Sequence, residues 1–239
     1  MKKFAIVAVA GLAALAGAQH SITYQLAGVN MTDAGRGTAN AEAGDMIRIV
    51  MSAQHTGLSL GLAKFDLTFT ASGGGVVTPA QVVLTETPDA NNNFQLDLNE
   101  TGRHPHMRQA TSDKPTAGGV GAALIVATQT GPDVVTLGDT GNGGIDLGTF
   151  PPTFNPLIPI FPIASGAAFF IFDFVYQGGT IEVATVVRGA GRVYRDAADG
   201  NGASVSAPGA GESLIITPAP ASLALLGLGG LAAARRRRA

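Results

Sequence analysis

Apolar and polar residues alternate with a period of two through most of this chain. Ile22, Tyr24 and Leu26 alternate with Thr23 and Gln25, and Ile47, Ile49 and Met51 with Arg48 and Ser52. Phe65, Leu67 and Phe69 alternate with Asp66, Thr68 and Thr70, and Phe94, Leu96 and Leu98 with Gln95, Asp97 and Asn99. Successive side chains of a strand point to opposite faces, so this pattern predicts strands with one buried and one wet face. The runs 122–128, 168–176 and 181–187 are more continuously apolar and are expected as central strands, with a last strand at 213–217. Turn-rich stretches such as "SGGGVVTP", "TPDANNN", "GDTGNGG", "QGGT" and "DGNG" separate the runs,. The expected fold is all-β, an antiparallel β-sandwich.

One segment breaks the alternation. Pro151, Pro152, Pro156, Pro159 and Pro162 lie within 150–166, and proline cannot donate to a strand ladder. Interleaved Phe154, Leu157, Ile158, Ile160 and Phe161 oppose a solvated linker. The expectation is an extended strap packed on a sheet or its edge.

The two ends depart from the body. Residues 1–18 have a basic start (Lys2, Lys3), an apolar stretch from Phe4 to Leu15, and the small residues Ala16, Gly17 and Ala18. That layout is a secretory signal helix cleaved after Ala18, with Ala16 and Ala18 as the processing residues. At the other end, 14 residues from Ala221 to Ala234 are almost wholly apolar and precede Arg235, Arg236, Arg237 and Arg238. As a helix they would rise about 21 Å, short of a hydrocarbon core of about 30 Å unless flanking residues contribute. The arginines would stay cytoplasmic. A temporary anchor suits so short and glycine-containing a run better than a permanent one. The expected organisation is a signal peptide (1–18), one β domain (19–217) and a tail (218–239).

The order Pro218-Ala219-Pro220, apolar run, Arg235–Arg238 resembles the PEP-CTERM sorting tail of bacterial exported proteins. That resemblance implies recognition by an exosortase-like membrane sorting protease. It also implies a destination at the cell surface, outer envelope or extracellular matrix after an inner-membrane stage. Ala219 stands where the motif has glutamate. In the body, the Gly44-Asp45 entry into a strand, the Gly61-Leu62-Ala63 lead into an aromatic strand and the later "AFFIFDFVYQGG" and "RVYRDAADGNG" are similar to cohesin-like and carbohydrate-binding β-sandwiches; a jelly-roll-like arrangement is the related possibility.

Charge narrows the partners. Six of the 15 basic residues lie in the two ends, leaving nine against 17 acidic residues between them. Nucleic acid, which needs a basic footprint, is disfavoured. Charged residues are only 13% of the chain, about half the usual share, so its surface relies on neutral polar groups and glycine. The absence of cysteine excludes thiol catalysis, thiolate metal sites and disulfides,.

Candidate chemistry is sparse. Gly57-Leu58-Ser59-Leu60-Gly61 matches the nucleophile-elbow pattern but is followed by a strand pattern rather than the required helix,. His104 and His106 are expected on a solvated loop, flanked by Arg103 and Arg108, which oppose cation binding. Asp139, Asn142 and Asp146, and Asp196, Asp199 and Asn201, are weak calcium candidates, since glycine-rich Asp/Asn loops supply hard oxygens. The same residues populate ordinary turns. Asp97, Glu100, Asp173 and Glu182 are the carboxylates available for glycoside hydrolysis. Tyr24, Tyr176 and Tyr194 are the aromatics available to line a glycan groove.

These observations lead to an exported, non-enzymatic structural or adhesive protein without a cofactor, sorted through its tail. Its expected partners beyond the sorting protease are extracellular polysaccharide or other surface proteins. A secreted glycan- or calcium-binding module is the alternative, and a secreted hydrolase a remote one.

Overall fold

The computed structural model describes residues 20–57, 59–65, 67–73, 77–87, 93, 95–105, 125–139, 145–146, 163–195 and 204–220. They are all-β: β1 (Ile22–Asn30), β2 (Met46–His55), β3 (Ser59–Phe65), β4 (Leu67–Gly73), β5 (Val82–Val83), β6 (Gly102–Arg103), β7 (Ile125–Gly131), β8 (Val134–Asp139), β9 (Ile145–Asp146), β10 (Ala168–Val175), β11 (Ile181–Val187), β12 (Gly191–Arg195), β13 (Ser204–Ala207), β14 (Gly209–Gly211) and β15 (Ser213–Ile216). The signal and tail helices expected at the two ends lie outside the described residues.

The strands form three sheets. The first runs β14-β1-β2-β10-β5, with β6 also on β10; the second runs β15-β11-β4-β8-β7; the third runs β13-β12-β3-β9. Strand pairing is antiparallel except between β14 and β1. The second and third sheets share one long ribbon. β4 pairs β11 up to Leu67↔Val187, and β3 pairs β12 from Lys64↔Arg192 onward.

Alternation decides the faces. Ile22 and Tyr24 of β1 and Ile47, Ile49 and Met51 of β2 join one core cluster with Phe170, Phe172 and Phe174 of β10. Ala71, Val135, Leu137, Ile181, Val183 and Ile216 enter it from the second sheet, and Leu62, Val193 and Ala207 from the third. A register shift between Ala168 and Phe170 places Phe169 and Phe170 both in this core, with Phe169 edge-on to Tyr24 at 6.2 Å between ring centroids.

The first sheet is also covered on its other face. Val50 and Ile171, cross-strand partners there, form a second apolar cluster with Leu96. Leu96 and Leu98 are not in a strand, contrary to the alternation of 94–98. The segment folds over the sheet instead, burying Leu96 and exposing Leu98, and it turns back through an Asp97 carbonyl to Glu100 N–H bond of 2.9 Å. Phe94 lies outside the described residues. β7 is an edge strand rather than the central one expected of 122–128, which suits its exposed Gln129 and Thr130. Of the proline-rich strap, Ile163 to Gly166 are described. Ile163 is buried and bridged to Leu62; residues 150–162 lie outside the description.

Candidate functional site

The Pro218-Ala219-Pro220 segment is tied into the β fold. Proline has no N–H, so only Thr217 and Ala219 can donate from this stretch, and their amides project to the same edge of an extended chain. Thr217 N–H donates to the Thr38 carbonyl at 3.0 Å and Ala219 N–H to the Ala41 carbonyl at 3.0 Å. Ala41 N–H returns a bond to the Thr217 carbonyl at 3.0 Å, and the Thr217 hydroxyl donates to the Ala39 carbonyl at 2.8 Å. Ala41 and Pro218 form a parallel bridge. Ala219 is 7% exposed, while Pro220 is exposed. At that position a methyl group packs without loss, whereas a carboxylate would forfeit its hydration.

Gly28 makes the approach feasible. A Cβ there would lie 2.4 Å from Thr38 Cγ2 and 2.8 Å from Leu214 Cδ2. Any larger residue there would force the Thr38 and Leu214 side chains to shift, so glycine lets the 38–41 segment and β15 close over β1 as they stand.

The connection between β1 and β2 that carries residues 38–41 is braced by Asp45. Its buried carboxylate accepts Asn30 Nδ2 at 2.7 Å, Glu42 N–H at 2.9 Å and Arg36 Nη2 at 3.1 Å. Asn30 Oδ1 in turn accepts the amides of Thr32 and Asp33. Burial alone would raise the Asp45 pKa, but the Glu42 amide, Asn30 and Arg36 overcome it and hold the carboxyl below its usual range,. Arg36 also meets Glu42 and Asp33. The hydrogen bond that Arg36 donates to the Glu42 carboxylate is the largest influence on this guanidinium, and its pKa is raised. A guanidinium therefore fills the centre of this acidic group.

A second polar cluster lies where β2 turns into β3. His55 Nδ1 is hydrogen-bonded to the Ser59 hydroxyl, and Ser165 bonds the His55 backbone on both sides. His20 Nδ1 lies 3.3 Å from the Thr56 carbonyl, and its ring backs onto Gly57. Burial pushes the His55 pKa down, the Ile163 carbonyl opposes this, and His20 adds to it. His55 Nε2 is buried and makes no hydrogen bond. Among the described residues no carboxylate orients this imidazole as the third member of a hydrolytic triad would,.

The remaining candidates disperse. Tyr24, Tyr176 and Tyr194, the aromatics that a glycan-binding module would present in a groove, are all buried in the interior. Each ring gains more from burial than a surface platform would leave it, about 1.5–3 kcal/mol per large apolar side chain. The Tyr176 hydroxyl donates to the Gly179 carbonyl, and burial raises its pKa. Asp173 is bound to Arg48, Glu182 is exposed on β11 in another sheet, and Asp97 and Glu100 share one turn. They do not form a carboxylate pair across a cleft.

His104 is fully buried rather than solvated. Its backbone N–H donates to the Phe169 carbonyl at 2.9 Å, which ties it, just after β6, to the start of β10. His106 and Arg108 lie outside the described residues, and Arg103 pairs with Glu86.

Asp139 closes β8 in the second sheet and Asp146 lies in β9 of the third. Asn142, Asp196, Asp199 and Asn201 fall outside the described residues, as do Ala16, Ala18 and Arg235 to Arg238. No group of three His, Cys, Asp or Glu able to hold a metal occurs among the described residues.

The Asp45 brace was partly legible, since Gly44-Asp45 before a strand is a turn signal. The pairing of residues 38–41 with 217–219 carried no local signal. No family model matches this chain, and no curated protein is detectably similar to it.

Proposed function

We propose that this chain is an exported bacterial surface or extracellular-matrix protein with a structural or adhesive, non-enzymatic role. A PEP-CTERM-like tail addresses it to an exosortase-like membrane protease. Three sheets around one core fit a β-sandwich of cohesin-like or jelly-roll-like type, an architecture that serves binding and structural roles without fixing either.

The observation that carries the reading is the junction at residue 220. The backbone is knitted into the β fold through Ala219. Directly after Pro220 the sequence changes to a run of 14 residues, apolar but for Ser222, and four arginines. Such a run serves an anchor or an address better than a continuation of the domain. The domain would then stand outside the membrane with its sheets as its working surface.

The test is intact-mass analysis of the protein from its native host, in membrane and medium fractions separately. Loss of residues 1–18 and of the arginine cluster is expected. A membrane-bound form that keeps Arg235–Arg238 as its end state would replace sorting with permanent anchoring.

The hydrolase reading draws on the His55–Ser59 bond. Labelling by a fluorophosphonate that disappears in Ser59→Ala would support it, and no labelling is expected. The calcium alternative predicts a melting temperature that rises with millimolar calcium and falls with chelator, whereas the structural reading predicts no change.

A further inference from the structure

We propose that His55 is a proton-operated latch: acid releases residues 163–166 from the corner between β2 and β3 while the sheets stay folded. Backbone and hydroxyl bonds hold this segment in place. The Ser165 hydroxyl accepts the His55 N–H at 3.0 Å and donates to the His55 carbonyl at 3.2 Å. Gly166 N–H donates to the Ala53 carbonyl at 2.9 Å, and the Ile163 carbonyl accepts Leu62 N–H at 2.9 Å. These bonds meet the last three residues of β2 and the middle of β3, so the segment docks as one piece.

The imidazole lies against the same segment, since the Ile163 carbonyl acts on its charge. His55 is 8% exposed. Nδ1 is engaged by the Ser59 hydroxyl, while Nε2 is buried without a hydrogen-bond partner. A neutral ring can leave Nε2 as a bare lone pair. A second proton turns it into a charged donor kept from water, which is far more costly. The Ile163 carbonyl attracts that charge but already accepts from Leu62, and burial outweighs it.

Among the described residues, nothing that faces the ring offers a compensating negative charge. From the β1 side come Ile22, its ladder partner, the neutral phenol of Tyr24 and His20. These alternate onto one face, and His20 opposes a positive charge on His55. From β3 comes Ser59, whose own ladder partner is Arg195 of β12. Residues 163–168 read Ile-Ala-Ser-Gly-Ala-Ala and β14 reads Gly-Ala-Gly, with no ionisable side chain. Arg48 and Asp173 point to the other face of the first sheet and are paired with each other. Lifting residues 163–166 therefore gives the imidazolium its route to water. It also uncovers Ile163, fully buried when docked, so acid exchanges a polar clasp for an apolar contact surface.

Site-resolved hydrogen exchange of the full chain in detergent tests the latch, at pH 7.5 and 5 and in low urea. A released imidazole titrates near 6.5, so a docked ring that stays neutral lets the opening constant grow up to about thirtyfold at pH 5. Protection factors of the Leu62 and Gly166 amides are expected to fall about ten- to thirtyfold. Their exchange should depend on urea far less than that of the β2–β10 ladder, because a local opening exposes little surface. In His55→Gln the acid response should disappear. Ser165→Ala, which loosens the segment without touching the ring, should lower protection at pH 7.5 about fivefold and keep the acid response.

Protection that is equal at the two pH values would overturn the proposal. So would a urea dependence as steep as the ladder's, because the segment would then leave only when the whole domain unfolds. An acid response unchanged in His55→Gln would place the proton elsewhere and overturn it too. If that variant does not fold, Ser165→Ala decides: a loosened segment with no acid response ends the proposal.

Discussion

Arg48 of β2 and Asp173 of β10 face each other across the ladder and form a two-pronged ion pair, Nε to Oδ1 at 2.8 Å and Nη2 to Oδ2 at 2.9 Å. Both side chains are largely buried. The third prong, Nη1, donates to the Leu98 carbonyl at 2.8 Å, so the pair fastens the covering segment to the first sheet.

Removing one partner strands the other charge away from water. Arg48→Met alone is expected to cost about 3–5 kcal/mol, and Arg48→Met with Asp173→Leu far less. Urea unfolding of the three proteins measures this, and equal losses in single and double variants would mean the charges are effectively solvated.

His55 makes stability depend on pH. Its folded pKa lies below that of the unfolded residue, about 6.5, so the unfolded chain takes up its proton first. The contribution is fully present above that pH and is lost as pH falls through the folded pKa. A urea midpoint that drops between pH 7.5 and 5 is expected. In His55→Gln the drop should shrink, and an unchanged pH profile would assign it to other groups.

Two glycines with positive φ separate strain from crowding. Gly37 (φ 60°) has open space where a Cβ would stand, whereas at Gly102 (φ 102°) it would lie 2.9 Å from the Glu86 Cα. Gly37→Ala is expected to cost about 1 kcal/mol from backbone strain alone. Gly102→Ala should cost about 2–3 kcal/mol or more, because backbone cannot step aside as a flexible side chain does. Similar thermal shifts in the two variants would show that the Glu86 backbone yields.

Ala219→Glu places a carboxylate at a buried position. The segment is expected to undock, speeding hydrogen exchange at the Ala41 and Ala219 amides at least tenfold, while β2 amides stay protected. Global destabilisation beyond about 3 kcal/mol would mean instead that the segment is part of the cooperative core.

The sequence by itself determined the places of β1, β2, β4, β10, β11 and β15, because apolar periodicity is a local property that survives folding, whereas the burial of the Arg48 and Val50 face of β2 came from the segment that covers it. The sequence also set the character of the two ends, where apolar runs and basic clusters sit side by side in the chain. The alternation of 94–98 misled because a turn-bearing segment that buries Leu96 and exposes Leu98 produces the same pattern as a strand.

The tertiary structure alone decided that Arg48 and Asp173, 125 residues apart, neutralise each other. It alone decided that the three tyrosines go inside, and that residues 38–41 clasp 217–219. Each depends on the register of strands far apart in sequence, set by the packing of whole sheets around one core, and no local periodicity encodes it.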